Sequence, residues 1–340
     1  MRDNTKTLAQ WVQSFLPAGV AQAPSLSLHP VAGDAGFRSY YRTNTQPSLI
    51  AVCAPPEHED SLSFVRKGLS LRAGSVHVPE IFAVDYRHGF LLLEDLGDAL
   101  YLPLLNESSA DGLYGRALNT LAAIQALPVD ETLFPPYGER LLRDEMSLFP
   151  RWFVGELLGM TLDDGERDLI ESLFARLVAS ALAQPRAVVH RDYHSRNLLD
   201  LGDDVGVVDF QDAVTGPVTY DLVSLLKDCY IRWPRERVAH WALAYPGRHE
   251  TAAVDDAQWL LWFDWMGLQR HLKVLGIFAR LSIRDHKNGY LKDLPLVVRY
   301  TLEVAGHYPE FREFHRWFSD RLVPALHRQP WYQPWETAGE

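Results

Sequence analysis

The sequence is poor in cysteine and in basic charge. Its two cysteines, Cys53 and Cys229, cannot build a disulfide framework for 340 residues, and no C-x-x-C pair suggests a zinc site. With 33 basic and 44 acidic residues, the chain has a formal net charge of −11. It therefore lacks the basic footprint of a general nucleic-acid-binding protein, and we expect no nucleic-acid partner.

The sequence also lacks a long uninterrupted apolar run. The most apolar stretch, residues 259–281, contains charged side chains that the centre of a bilayer would reject. Residues 1–20 mix polar and apolar side chains and have no apolar export signal. With 47% hydrophobic and 23% charged residues, the composition is that of a globular protein. We expect a cytoplasmic protein without membrane contact, and we infer no obligate protein partner.

Hydrophobic periodicity changes character near residues 95–98. Before this point an amphipathic helix is predicted around residues 8–16, and another helix at residues 62–72. The strands predicted in this part lie at residues 37–42, 49–54, 81–84 and 90–93. After it helical periodicity dominates, and strands are predicted only at residues 187–190, 198–201 and 205–208. The pattern predicts an α+β fold, with a small β-rich lobe at residues 1–97 and a larger helical lobe at residues 98–340.

The strongest chemical signal surrounds a predicted hairpin. An apolar strand leads into Asp192, Asn197 follows five residues later, and a second apolar strand ends at Asp209. If residues 202–204 form the turn, Asn197 lies opposite Asp209. Either aspartate alone could equally be a loop cap or a strand end, but the joint spacing favours a metal site. Oxygen ligands that meet at one point suit Mg²⁺, which completes its shell with water and phosphate.

This pattern carries a family resemblance. His190 and Asp192 with Asn197, followed by Asp209 and Phe210, resemble the catalytic loop and metal motif of the protein-kinase-like superfamily. The resemblance implies a two-lobed protein-kinase-like fold that uses ATP and Mg²⁺. It also implies that Asp192 contacts the acceptor hydroxyl, that Asn197 and Asp209 hold Mg²⁺, and that His190 supports the loop.

The branch of the superfamily follows from one spacing. Asp221 follows Asp209 by only 12 positions (221 − 209), which leaves no room for the activation segment of a protein kinase. This spacing is similar to that of the aminoglycoside phosphotransferase and choline kinase group, which phosphorylates small molecules. In that group a helix Asp, at the position of Asp221, braces the catalytic loop. An Asp before an apolar helix can also be only a cap.

The resemblance assigns nucleotide contacts in the N-terminal part. Gly33 and Gly36 belong to a turn that could lie over the phosphates of ATP, although glycine turns occur in many hairpins. Residues 94–97, which we call the hinge, are similar to the segment whose backbone pairs with adenine. Glu94 and Leu96 are therefore the expected adenine-side residues.

One expected ion pair is missing from the sequence. The family places a Lys or Arg on the strand at residues 48–56 and a Glu on the helix at residues 62–72, and neither is present. Another cation must therefore neutralise the phosphates. We predict Arg38, with Arg42 and Lys67 as alternatives, although both arginines could equally be solvated surface residues.

Several segments together resemble a subgroup, the anomeric kinases for N-acetylmuramate and N-acetylglucosamine of bacterial cell-wall recycling. These segments are residues 33–38, 54–56, 94–97, 209–213 and 267–276. That subgroup makes sugar 1-phosphates from ATP and also lacks the lysine. The resemblance covers roughly residues 30–290 and implies an amino sugar as the small-molecule partner.

A polar flank on a predicted apolar helix is the expected substrate wall. Gln269 and Lys273 are four residues apart and Arg270 and Lys273 three apart, so they share one side of the helix. We predict that these three side chains contact the sugar, and the resemblance adds Gln211. Arg270, and after it Lys273, is the expected partner of a substrate carboxylate.

The sequence leaves alternatives open for the role of the two helix cations and for the function of the protein. The two helix cations can instead form internal ion pairs with Asp264 or Asp228, because a buried cation needs an anionic partner. At the level of function, the alternatives are a kinase of an aminoglycoside or choline-like cation and a nucleotide-binding pseudokinase scaffold.

Overall fold

The fold is known here from a computed structural model, which describes residues 2–21, 25–31, 37–248 and 254–339. The predicted turn with Gly33 and Gly36 lies outside the described residues. The predicted helices and strands recur with ends shifted by at most two residues, apart from the N-terminal helix. That helix begins earlier than predicted, at Arg2.

The N-terminal part is an antiparallel sheet with two helices. The helices are α1 (Arg2–Ser14) and α2 (Ser61–Ala73), and Asp60 caps α2 by accepting the Ser63 N–H at 2.9 Å. The strands are β1 (Leu28–Val31), β2 (Ser39–Thr43), β3 (Leu49–Cys53), β4 (Ile81–Asp85) and β5 (Phe90–Glu94). They pair in the order β1-β2-β3-β5-β4. The hinge begins at Glu94, the last residue of β5.

The remainder is mainly helical. Its α-helices are α3 (Tyr101–Leu104), α4 (Ala110–Gln125), α5 (Glu139–Met146), α6 (Asp164–Leu182), α7 (Tyr220–Leu226), α8 (Arg235–Leu243), α9 (Asp256–Asp285), α10 (Leu294–His307), α11 (Arg312–Trp317) and α12 (Val323–Leu326). Shorter π and 3₁₀ segments lie at Phe149–Leu157, Asn288–Asp293, Pro309–Phe311, Phe318–Leu322 and Trp335–Thr337. Its strands are β6 (Arg186–Val189), β7 (Leu198–Asp200), β8 (Val205–Val207) and β9 (Val214–Pro217), paired β6-β9 and β7-β8.

Two strands escaped prediction because their residues are typical of turns. β1 contains Pro30, and β9 contains Gly216 and ends at Pro217. Proline and glycine are uncommon in regular strands, so local propensity argues against both. Pairing with β2 and with β6 supplies the backbone hydrogen bonds that override it.

The long helix α9 is the centre of the helical part. It packs on α5, α6, α7 and α10 and on the Phe149–Leu157 segment, and nearly every side chain from Trp262 to Ala279 is buried, charged ones included. Across the described ranges, no helix has both the length and the apolar character needed to cross a bilayer.

One core runs through both parts of the chain. Phe64 on α2 stacks on Phe210 after β8, with ring centroids 4.8 Å apart, and both belong to the same buried cluster as Tyr101 and Tyr114. The apolar contact that joins the two parts of the chain therefore lies next to Asp209, the predicted metal ligand. The boundary at residues 97 and 98 stays a prediction.

The predicted register of the β7-β8 hairpin is wrong by one residue. Asp200 pairs with Val205, and the Leu201 N–H donates to the Asp204 carbonyl at 3.1 Å, so the turn contains two residues and not three. Gly202 makes this tight turn possible with a φ of 84°. Asn197 consequently lies opposite residue 208, one position before the predicted partner.

At Gly276 the helix α9 approaches a neighbouring backbone closely. A Cβ at this position would clash with the backbone of Leu148, between α5 and the Phe149–Leu157 segment. We expect Gly276→Ala to lower the free energy of unfolding by about 1–3 kcal/mol, as overpacking does, despite the better helix propensity of alanine.

Chemical denaturation measures this effect, and Gly112→Ala is the matched control. Gly112 lies in α4 with no atom within 4 Å of an added Cβ, so alanine should stabilise there by about 0.5–1 kcal/mol. Equal stabilisation at both positions would contradict the close approach.

Candidate active site

The predicted catalytic loop, residues 190–197, is braced by Asp221 at the start of α7. Asp221 is fully buried, and its two carboxylate oxygens accept the N–H groups of His190 at 2.6 Å and Arg191 at 3.0 Å. Burial raises the pKa of Asp221 to about 7, although the two N–H groups favour its charged form. A simple cap would accept from the first turn of its own helix. Asp221 instead holds the loop, as the resemblance implies.

His190 links the loop to the second strand of the hairpin. Burial lowers the pKa of His190 to about 4, so its ring is neutral at pH 7. Its Nε2 lies 3.0 Å from the Val208 carbonyl, which can only accept, so Nε2 carries the proton. Its Nδ1 then accepts the Asp192 N–H at 3.3 Å. The neutral ring thereby couples the position of Asp192 to the end of β8.

A second carboxylate holds the far end of the loop. Asp228 is buried and accepts both the backbone N–H of Ser195, at 3.0 Å, and the Ser195 hydroxyl. Between the two braces Arg191 has a φ of 77°, in the left-handed region that non-glycine residues rarely adopt. Its guanidinium donates to the buried Glu145. The loop is thus fixed on both sides of Asp192.

Asp192 faces the cleft with positive groups behind it. Its side chain is 40% exposed, and its Oδ1 lies 3.7 Å from Nη1 of Arg270. Burial would raise the pKa of Asp192, but Lys273 and then Arg270 outweigh burial and hold it well below its usual range. Asp192 therefore presents a charged carboxylate to the cleft at neutral pH.

Asn197 and Asp209 meet despite the shifted register. A regular strand would turn Asp209 to the opposite face from Asn197, since side chains alternate. Asp209 has a φ of 66°, which breaks the alternation and brings its Oδ2 to 3.4 Å from Nδ2 of Asn197. That Nδ2 also donates to the Asp192 carbonyl at 3.0 Å, so the amide oxygen remains available as an acceptor. An amide oxygen and a carboxylate fit a magnesium site.

Two cavities join at this pair. One of about 600 Å³ is lined by Asp192, and one of about 460 Å³ by the hinge. Tyr40, Arg196, Asn197 and Asp209 line both. Apolar and charged side chains both line the cavity at the hinge, and the apolar ones suit a nucleobase. Glu94 and Leu96 also line it, and their contact with adenine stays a prediction. The junction can therefore hold a group transferred between two ligands.

Known proteins are similar to this chain in sequence and in fold. A family model described as the phosphotransferase enzyme family matches residues 27–260. The chain belongs to this family.

Curated relatives are similar over most of their length. The chain is 44% identical over 297 residues to an N-acetylmuramate/N-acetylglucosamine kinase of Pseudomonas putida, covering 86% of this chain and 87% of that protein. It is 36% identical over 313 residues to the enzyme of the same name from Neisseria meningitidis, with 89% and 91% covered.

Solved structures share the fold at low identity. An ADP-bound aminoglycoside phosphotransferase matches with a TM-score of 0.57 at 15% identity, covering 89% of this chain and 98% of that one. An ethanolamine kinase of Plasmodium vivax matches with a TM-score of 0.62 at 11% identity, with 91% and 96% covered. The protein-kinase-like fold predicted from the sequence is confirmed.

The phosphate cations predicted for this phosphotransferase are all engaged. Nη2 of Arg38 pairs with Oε2 of Glu59 at 2.9 Å beside the Asp192 cavity. Arg42 binds two hinge-side carboxylates, Asp95 at 2.6 Å and Asp98 at 2.8 Å. Lys67 donates to two backbone carbonyls, at 2.6 and 2.9 Å. Neither arginine is a free surface side chain, and the phosphate role of Arg38 stays a prediction.

The predicted sugar wall does not form on α9. Gln269, Arg270 and Lys273 are buried beneath the catalytic loop and do not line the Asp192 cavity. Nε2 of Gln269 donates to the Tyr137 hydroxyl at 3.4 Å, and Lys273 pairs with Glu145 at 3.1 Å. This flank is buried because α9 packs it against α5 and the loop.

The helix cations Arg270 and Lys273 do form internal ion pairs, as the alternative interpretation held, but not with the predicted partners. Asp264 pairs with Lys227 at 2.6 Å and with Arg235, whereas Asp228 accepts from the loop. The cations of α9 use Asp192 and Glu145 instead. Of the predicted substrate residues only Gln211 lines the cavity, where its Nε2 donates to Asp209 Oδ1 at 2.7 Å.

Sequence reasoning missed the acidic partners of these cations. Glu145 lies three residues after Leu142 and next to Met146, so it occupies the apolar face of α5. A charged residue at such a position signals a buried partner. Glu59, which pairs with Arg38, stands one residue before the cap of α2 and gave no comparable signal.

The brace at Asp221 is testable. In Asp221→Asn one of the two loop N–H groups would face an amide NH₂ and lose its acceptor. We expect the free energy of unfolding to fall by about 1–3 kcal/mol, the cost of an unsatisfied buried group. We also expect kcat to fall at least about tenfold because Asp192 is displaced. Denaturation and steady-state kinetics measure both. Asp203→Asn, in the exposed turn, is the control, and wild-type kcat in Asp221→Asn would reject the brace.

The role of Arg38 has its own test. Arg38→Ala should raise the KM for ATP or lower kcat by at least about tenfold, the scale of a lost charge-assisted contact. Arg66→Ala, on the exposed side of α2, is the control for a lost arginine. Small and equal effects at the two positions in steady-state kinetics would reject a phosphate contact for Arg38.

Proposed function

We propose that this protein is an ATP- and Mg²⁺-dependent kinase of the anomeric hydroxyl of N-acetylmuramate and N-acetylglucosamine. The observation that carries the proposal is the meeting of Asp192, Asn197 and Asp209 where the two cavities join. Relatives that are 44% and 42% identical over most of the chain bear the name N-acetylmuramate/N-acetylglucosamine kinase. Such a reaction would return cell-wall amino sugars to metabolism in the cytoplasm, where ATP is available.

Asp192 orients the acceptor and takes its proton. As the sugar oxygen bonds to the γ-phosphorus and the bond to the β–γ bridging oxygen breaks, the hydroxyl proton passes to the Asp192 carboxylate and ADP leaves. Asn197 and Asp209 would hold Mg²⁺, which neutralises charge on the ATP phosphates when it is bound. Gln211 fixes the Asp209 carboxylate for this task.

The low pKa of Asp192 is compatible with this role. Phosphoryl transfer proceeds through a loose transition state and demands little strong base, so positioning contributes more than proton affinity. An anomeric hydroxyl is also more acidic than an ordinary alcohol. The neutral His190 and the braces at Asp221 and Asp228 supply the positioning.

The test is product identification. We expect a sugar 1-phosphate in phosphorus NMR when the purified protein is given ATP, Mg²⁺ and either amino sugar. Kanamycin, choline and no acceptor are the comparison reactions. Phosphate on another hydroxyl would contradict the anomeric assignment. Turnover of kanamycin or choline alone would favour a kinase of amine-bearing acceptors, and ATP binding without turnover of any acceptor would favour the pseudokinase scaffold.

Asp209→Asn separates this activity from that of a contaminating kinase. The variant removes the carboxylate from the predicted magnesium pair, and the loss of several kcal/mol of charge stabilisation lowers turnover about a hundredfold or more. Circular dichroism should report an unchanged fold. Wild-type turnover at limiting Mg²⁺ in the folded variant would reject the metal assignment.

A further inference from the structure

The cavity lined by Asp192, where the acceptor would bind, has one apolar and one polar wall. The apolar wall consists of Tyr230, Phe278, Leu281 and Tyr290, and Tyr230 stacks on Phe278 with centroids 6.4 Å apart. The polar wall includes Asp192, His194, Arg196 and Asp212. A pyranose has an apolar face and a hydroxyl edge, so the two walls suit a sugar. The four aspartates that line the cavity, Asp60, Asp192, Asp209 and Asp212, would also repel a substrate carboxylate unless a cation met it.

Arg196 is the cavity-lining cation that is available to bind an anionic group of a ligand. Of the lysines and arginines lining it in the described chain, Arg38 is tied to Glu59 and Lys67 to two carbonyls. Arg196 makes no hydrogen bond within the residues that the structure describes, and its closest carboxylate oxygen, on Asp293, is 3.9 Å away. Its side chain is 35% exposed. Its donors are therefore available to a ligand.

Stacking fixes the orientation of Arg196. Its guanidinium carbon lies 3.4 Å from the centroid of the Tyr230 ring, as in a flat cation–π stack. A stacked guanidinium keeps its N–H groups in its own plane, where they form the fork that binds a carboxylate bidentately. Oδ2 of Asp293 is buried and accepts no hydrogen bond in the described part, so it holds Arg196 only through charge.

We propose that Arg196, stacked on Tyr230, binds the lactyl carboxylate of N-acetylmuramate in place of Asp293. This inference rests on the proposed function and makes Arg196 the residue that distinguishes the two sugars. The lactyl ether is at the 3-position, two ring carbons from the anomeric centre, so it lies close to Asp192, which belongs to the same loop. Arg196 borders both cavities, but Tyr230, on which it stacks, lines the cavity of Asp192 and not the one at the hinge, which favours a carboxylate on the acceptor over an ATP phosphate.

The experiment compares acceptors in Arg196→Gln, which removes the charge and keeps the polarity. The kcat/KM for N-acetylmuramate should fall about ten- to a hundredfold more than that for N-acetylglucosamine, as for one lost charged contact. N-acetylmuramate with its carboxyl converted to the amide should not show this extra loss. Arg284→Gln, an exposed arginine on α9 paired with its neighbour Asp285, is the control and should change neither ratio.

A second variant tests the exchange with Asp293. Asp293→Asn removes the competing carboxylate, so the KM for N-acetylmuramate should fall severalfold while that for N-acetylglucosamine stays unchanged. If Arg196→Gln fails to fold, the result for Asp293→Asn decides alone, and equal KM changes for both sugars would overturn the proposal.

Three outcomes are kept apart by the design. Equal losses for both sugars together with a raised KM for ATP would place Arg196 on the nucleotide phosphates and overturn the proposal. An unchanged sugar ratio in a folded, active Arg196→Gln variant would also overturn it and leave the proposed function intact. A wild-type protein inactive on both sugars would contradict the proposed function itself.

Discussion

The catalytic loop has no strand to hold its backbone, and two buried carboxylates take over that task. Asp221 accepts two consecutive N–H groups and Asp228 a third, on either side of Asp192. Water cannot replace these acceptors, because both carboxylates lie in the interior. The loop can therefore keep Arg191 in a left-handed conformation that would otherwise relax. The position of Asp192 in the cleft follows from these contacts.

Buried carboxylates require buried cations, and this requirement shapes α9. Glu145, Asp192 and Asp221 lie close to Arg191, Arg270 and Lys273, so the signs balance beneath the loop. Breaking one such pair would leave an uncompensated charge at a cost of about 3–5 kcal/mol. Burial alone would raise the pKa of Glu145, but the positive charges of Lys273 and Arg191 outweigh burial and lower it, which keeps the carboxylate charged. The polar flank of α9 belongs to this balance and is therefore withdrawn from the substrate.

The sequence was informative where chemistry follows from local order and uninformative where it depends on packing. Asp192, Asn197 and Asp209 could be predicted because their spacing along two strands is short. The predicted register was wrong by one residue. Asn197 and Asp209 still meet because Asp209 leaves the regular strand conformation, which no local pattern indicates. For Arg270 and Lys273 the need for anions was evident, but the choice of Glu145 depends on how α5 packs on α9. The pairing of Arg38, just before β2, with Glu59, just before the cap of α2, was equally hidden.

The acceptor is selected by polar residues that line the cavity and not by the polar residues buried beneath the loop. The chain shares its fold with an aminoglycoside phosphotransferase and an ethanolamine kinase at 15% and 11% identity, so the fold alone does not select the acceptor. The buried charges beneath the loop are committed to one another and cannot select it either. Arg196 follows Asp192 by four residues in the same braced loop, and its partly exposed side chain lines the cavity. A loop held rigidly from below can present such a side chain precisely enough to read one carboxylate on a sugar.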